Sequence, residues 1–324
     1  MEMYCSWFSP STDCKKEVLE AMRILRRFGA LFLAVSLASF FCGCGKNQSD
    51  PAARRNTWTT VLAPEAPGQV VYGNSYSTID ASNTRDGYLQ VSYTGSAQKA
   101  KVQITIPDGT VYTYTLLPGD QEILPLAGGA GHYSISVLEN AYDNMYALVL
   151  SQELDVEQVD PFTPYLYPNQ LSWFDDQSAV TSLGVEISSQ SSSDMDYVTQ
   201  VYRYVTQNIS YDVDMAQDPP VGYIPSPDAT LASGKGICYD YASLMTALLR
   251  SQRIPTKLVV GYSGQQYHAW ISVYLEETGW MDKTIYFDGS SWVLVDPTLG
   301  ATNKSSDVKR YVGDGSNYLV KYQY

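Results

Sequence analysis

The strongest constraint on the fold lies where a glycine-rich turn meets a helix. Ser233-Gly234-Lys235-Gly236-Ile237 runs straight into Cys238, and from there Ala242, Met245, Leu248 and Leu249 recur at helical spacing. Gly234 and Gly236 suit a tight turn, because a residue without Cβ reaches backbone angles that others avoid. Pro255 bars helix beyond Arg253. Cys238 is therefore expected in or just before the first turn of a buried helix. Unpaired N–H groups and the helix dipole at that end favour a thiolate, the form of cysteine that acts as nucleophile.

Two further residues stand downstream in a different local setting. His268 opens an alternating run in which His268, Trp270, Ser272 and Tyr274 share one face and Ala269, Ile271 and Val273 the other. That period of two predicts a strand. Asp296 ends a second short strand, Ser291–Val295, just before Pro297. An imidazole so placed can take the thiol proton, and a carboxylate at a strand end can fix its tautomer. Of five cysteines, Cys5, Cys14, Cys42 and Cys44 lie at the start, leaving Cys238 alone downstream, and His132 is the second of only two histidines. Cys238 has no nearby partner for a disulfide. A buried structural cysteine is the plain alternative, since free cysteines are commonly buried. The glycine turn, the helix start and the spaced His and Asp favour the chemical reading.

Gly236-Ile237-Cys238 with Tyr241-Ala242, then Arg253-Ile254-Pro255, Val260-Gly261-Tyr262, His268-Ala269-Trp270 and Trp292-Val293-Leu294-Val295-Asp296-Pro297-Thr298 follow in one order. Together they resemble the core of the transglutaminase-like superfamily, over roughly Asp194 to Leu299. The resemblance implies an α+β, papain-like cysteine fold with the nucleophile on a helix and its partners on adjacent strands. It implies Cys238 as nucleophile, His268 as base and Asp296 as orienting acid. The sequence holds no His or Cys cluster and no phosphate-binding glycine loop, so no metal and no cofactor are expected. The superfamily spans cross-linking enzymes, peptidases, deglycosylating amidases and inactive relatives.

The N-terminal region reads as a leader. Residues 28–41 are apolar, follow Arg23, Arg26 and Arg27, and are too short to span a membrane comfortably. Met22 opens this pattern directly and is the expected true start. The run ends in Phe41-Cys42-Gly43-Cys44, which resembles a bacterial lipoprotein signal with Cys44 as the lipid anchor. Ordinary secretion with cleavage nearby is the alternative, and either reading places the rest of the chain outside the cytoplasm. Residues 1–44 are thus expected as leader, and the polar, proline-containing residues 45–69 as a flexible tether.

Residues 70–158 show alternating runs at Tyr88–Thr94, Ala100–Ile106, Val111–Leu117, Glu122–Leu126, His132–Leu138 and Tyr146–Val156, split by turn residues such as Pro107-Asp108-Gly109. They predict a small all-β sandwich preceding the α+β core. His132 is expected on a solvent face or at a strand end. Residues 159–193 read as a linker and packing segment, and 194–324 as the catalytic domain. Within that domain Val198, Val201, Tyr202, Val205 and Ile209 predict a core helix over 194–209. Asp212, Asp214 and Asp218 lack the glycine and glutamate of a calcium loop, so 212–228 is expected as a solvated loop beside the cleft. Tyr262, Tyr267, Trp270 and Trp292 are expected around the triad as substrate contacts, with aromatic core as the alternative for the two tryptophans. Residues 318–324 are expected as a final sheet strand.

With a net charge of −13 the chain is a poor match for nucleic-acid phosphates. The expected activity is extracellular acyl transfer on peptide or carboxamide bonds, giving hydrolysis with water and cross-linking with an amine. The expected partners are protein or cell-wall peptide substrates, with the membrane reached through the N-terminal lipid. The alternative is a non-catalytic surface-binding lipoprotein with a vestigial triad.

Overall fold

Alternation of apolar and polar residues builds the first half of the molecule. In the computed structural model, residues 54–282, 298, 301 and 317–324 are described, and they fall in one unit, Pro51–Tyr324. Strands β1 (Val71–Gly73), β2 (Ser77–Asp80), β3 (Tyr88–Tyr93), β4 (Ala100–Thr105), β5 (Val111–Leu116), β6 (Gln121–Pro125), β7 (Gly131–Tyr142) and β8 (Met145–Val156) form two sheets. Their orders are β1-β2-β3-β6 and β5-β4-β7-β8, antiparallel throughout. The register sets Val102 opposite Tyr114 and Val137, and Ile104 opposite Tyr112 and Ile135. These residues are buried and share a core with Ile79, Val91 and Leu124 of the other sheet. Each fully buried Val, Ile or Leu contributes about 1.5–3 kcal/mol. His132 stands exposed on β7 between Asp155 (2.9 Å) and Glu153 (3.1 Å) of β8, the solvent-facing position expected for it.

The helices begin earlier than the sequence reading placed them. Helix α1 (Ala179–Gln190) occupies much of the expected linker. It buries Val180, Gly184 and Ile187, and a Cβ on Gly184 would lie 2.7 Å from Ser251 Oγ. Close helix packing thus explains a glycine that propensity counts against a helix. Helix α2 (Asp194–Asn208) is capped by Ser193, whose Oγ accepts from the Asp196 N–H at 3.1 Å. It buries Val198, Val201, Tyr202 and Val205, the stripe seen in the sequence.

Residues 212–228 also differ from expectation. After the short strand β9 (Ser210–Tyr211) come two short helices, α3 (Val213–Gln217) and α4 (Pro227–Ser233). Asp212 caps the first through the Met215 N–H (3.0 Å), and Ser226 caps the second through the Ala229 N–H (3.4 Å) with Pro227 at the first position. Side-chain caps at both starts supply the acceptors that solvent would otherwise provide.

Strand β10 (Lys235–Gly236) leads into helix α5 (Cys238–Ser251), followed by β11 (Thr256–Ser263), β12 (Gln266–Leu275), β13 (Gly279–Met281) and β14 (Tyr318–Gln323). The sheet order is β13-β12-β11-β14, and β14 is the expected final strand. Every residue of α5 from Asp240 to Ser251 is buried, so the helix forms the centre of its domain. Arg250 lies on it with no exposed surface. Its guanidinium donates to the main-chain oxygens of Thr256 (2.9 Å), Tyr167 (2.8 Å) and Tyr324 (2.7 Å).

The two halves are bonded together rather than strung on a linker. Gln170 donates through Nε2 to Thr115 O (2.6 Å) of the sandwich. Two residues on, Ser172 Oγ donates to the main-chain oxygen of Ser243 on the central helix (3.1 Å), and Ser243 Oγ donates back to Leu171 O (2.6 Å). The expected free tether is also corrected from residue 54 onward; residues 45–53 lie outside the described residues. Arg55 is almost buried, bonded to Ser188, to Asp194 (2.8 Å) and to Gln252 O (3.0 Å), with its guanidinium over the Tyr197 ring. A cation with several fixed acceptors and an aromatic face holds its segment to the surface in a way that composition does not reveal.

Candidate active site

The turn before Cys238 is built by close approach. Gly234 ends α4 at φ +62°, with its N–H on Thr230 O (2.9 Å). Gly236 then passes so near the helix that a Cβ would sit 2.6 Å from the Asp240 Cβ. Ile237 is extended and Cys238 is the first helical residue, half-buried. Asp240 secures this start: one carboxylate oxygen accepts the Ile237 N–H (2.8 Å) and the other accepts the Tyr223 hydroxyl (2.6 Å). Burial raises the Asp240 carboxyl above its ordinary value, and the two donors oppose that shift. The charge sits in the first turn, where the helix dipole favours it.

His268 comes from the neighbouring sheet. It lies on β12 opposite Gly261 of β11. A Cβ on Gly261 would come within 2.0 Å of Leu319 O on β14, so only glycine lets the strands pass here. The His268 ring lies nearly parallel to the Trp270 ring, 6.3 Å between centroids.

Cys238 and His268 both line one cleft of about 460 Å³. Its walls also include Tyr267, which the sequence reading proposed, and Tyr223, Tyr239 and Tyr324, which it did not. Tyr324 is braced from the sandwich by the rings of Tyr112 (5.3 Å) and Tyr114 (5.9 Å). The sandwich therefore supports a wall of the cleft.

The remaining proposed residues separate. Tyr262 is partly exposed and reaches the cleft through its edge contact with Tyr267, 5.4 Å between ring centroids. Trp270 is placed differently from the expectation of a substrate contact: at 1% exposure it is core, with Tyr318 edge-on at 5.1 Å. Its alternation partner Ala269 lines the cleft instead. The Trp270 ring lies across Gly261 of β11 toward Tyr318 of β14, so the face carrying His268 is not a solvent face at Trp270. Asp296, Trp292 and Cys44 lie outside the described residues. Asp240 was legible as an acidic residue in the third position of a helix, the place of a capping carboxylate. Tyr223 and Tyr324 gave no local signal, because distant segments bring them to the cleft. Asp212 serves the Lys235 ammonium (3.1 Å) as well as its cap, and among the described residues no three His, Cys, Asp or Glu side chains gather for a metal ion.

Residues 181–297 match the sequence pattern of the transglutaminase-like superfamily, whose members are often cysteine enzymes. The segment is a transglutaminase-like domain. It begins within α1, ahead of the boundary at 194 read from the sequence. Among the described residues, the matched segment takes in most of α1 and all of α2 and α5. A curated relative, the uncharacterized protein YebA of Bacillus subtilis, is 26% identical over 153 residues, covering 40% of this chain. The match spans 19% of YebA, about a fifth of its length. Among solved structures, a Cytophaga hutchinsonii protein described as a "Putative Cysteine Protease" is 15% identical with a TM-score of 0.37, covering 73% of this chain and 83% of its own. Red sea bream transglutaminase is 12% identical with a TM-score of 0.29, covering 66% of this chain and 48% of its own.

Proposed function

We propose that the transglutaminase-like domain is a cysteine-dependent acyl-transfer enzyme acting on peptide or carboxamide bonds. The observation that carries the reading is the shared cleft of Cys238 and His268, one from a helix start and one from a strand. Cys238 Sγ attacks the carbonyl carbon as His268 takes the thiol proton, and the oxyanion forms beside the Cys238 N–H. The C–N bond breaks, the proton on His268 goes to the leaving amine, and a thioester remains on Sγ. Water or a second amine, deprotonated by His268, then attacks the thioester and frees the thiol. Asp296 orients the imidazole in this reading. Extracytoplasmic protein or cell-wall peptide is the proposed substrate class.

Alkylation of Cys238 by iodoacetamide, located by peptide mass in the folded full-length chain, tests the pair. The rate at neutral pH is expected to fall about tenfold or more in His268→Ala, since the imidazole no longer draws off the thiol proton. An unchanged rate removes the pair and leaves a surface-binding role as the better account.

The proposed location rests on the leader pattern and Cys44. Among the described residues no helix is long and apolar enough to cross a membrane. In this reading a lipid on Cys44 is the attachment. Cys44→Ser is expected to move the protein from the sedimenting membrane fraction to the soluble one. Retention in the membrane fraction defeats anchoring through Cys44.

A further inference from the structure

The described walls of the cleft carry few charged groups. Among the described residues that line it, none is Asp, Glu, Lys or Arg. The side chains presented include five tyrosine rings, with the exposed Pro219 and Pro220 also in the lining. Burial raises the phenols of Tyr223, Tyr239, Tyr267 and Tyr324 above their ordinary value, so the rings are neutral at physiological pH. A charged group entering this space loses water and, apart from the Cys238–His268 pair itself, meets no counter-charge from these described walls. An aromatic or aliphatic group loses only unfavourable hydration and gains ring contacts.

One wall is tied to the nucleophile's own helix. Tyr223 sits on the segment between α3 and α4, where Gly222 turns the chain at φ +77°. Its hydroxyl is held by Asp240, and the same carboxylate caps the Ile237 N–H in front of Cys238. Asp240 is 1% exposed, so this latch is sheltered from competing water. The ring is thereby fixed in position relative to Cys238.

We propose that the acyl donor carries an uncharged aromatic or aliphatic group beside the scissile carbonyl, and that Tyr223, latched to Asp240, selects it. The proposal rests on the acyl-transfer reading above and names its substrate class.

The test uses alkylation of Cys238 in the full-length chain by four probes: iodoacetamide and its N-benzyl, N-(2-aminoethyl) and N-(carboxymethyl) derivatives. Each rate is divided by that of the urea-unfolded chain, which removes differences in intrinsic reactivity. The N-benzyl probe is expected to react about tenfold or more faster than iodoacetamide, and both charged probes about tenfold slower. Comparable rates for a charged probe and the N-benzyl probe overturn the proposal, and this comparison needs no variant. In Tyr223→Ala the ratio of N-benzyl to unsubstituted probe is expected to fall to within about threefold of unity. In Tyr223→Phe, which keeps the ring and loses the latch, an intermediate ratio is expected. A wild-type ratio in the Ala variant overturns the role of Tyr223, and one in the Phe variant overturns the latch. The acyl-transfer reading fails separately, through iodoacetamide labelling that is indifferent to His268→Ala, because that comparison involves no side-chain preference.

Discussion

Cys238→Ala is expected to abolish acyl turnover, by about 10⁴-fold or more, and to leave the fold in place. Loss of the nucleophile removes the covalent route altogether, while the cleft and the first-turn donors remain to bind substrate. The structural cost is small because Cys238 is only half-buried and the helix start is held elsewhere, by Asp240 on Ile237 and Tyr223. A change in stability within about 1 kcal/mol is expected. Release of p-nitrophenol from p-nitrophenyl acetate measures turnover, and urea unfolding measures the fold. Wild-type turnover in the variant would defeat the proposed chemistry.

The second large effect lies at the opposite end of the same helix. Arg250→Ala is expected to destabilise the protein by about 3–5 kcal/mol. The side chain has no exposed surface and supplies donors to Thr256, Tyr167 and Tyr324. Truncation takes one donor from each of those oxygens, of which Tyr324 O keeps the Leu258 N–H (3.0 Å), and opens a cavity the size of a guanidinium arm. Burial pushes the guanidinium down to about 9, so it still carries its charge at neutral pH. Charge-assisted bonds to three carbonyls offset the desolvation that this burial costs. Arg250→Lys is expected to recover only part of the loss, because one ammonium cannot reproduce the planar fork across three separated acceptors. The readout is the urea midpoint, and a loss below about 1 kcal/mol for the Ala variant would rule out this account. The consequence extends to the site, since Arg250 fixes the main chain of Tyr324 and the Tyr324 side chain lines the cleft.

Individual elements show why the sequence was readable in some places only. The α2 stripe of Val198, Val201 and Val205 and the alternation of Val102 and Ile104 are periodic, and both appear as expected. Helix α1 carries Val180, Leu183, Gly184 and Ile187 at helical spacing, but serines, a glycine and β-branched residues weaken its local signal. Contact with Ser251 and Tyr197 decides it. Arg55 reads as a soluble charge in a polar tether until Ser188, Asp194 and Gln252, distant in sequence, surround it. Trp270 shares an alternation face with His268, and that face is half-buried at His268 and fully buried at Trp270.

The sequence by itself determined the helix start at Cys238, the strand that carries His268 and the order of the motifs, because these depend on neighbours a few residues away. The walls of the cleft were decided only by tertiary structure. Tyr223 meets Asp240 across 17 residues of chain, and the sandwich segment that braces Tyr324 bonds its neighbour Gln323 across 211. Local periodicity carries no record of such contacts. They form only when burial of apolar surface brings the two halves together, and that burial gives the proposed nucleophile its surroundings.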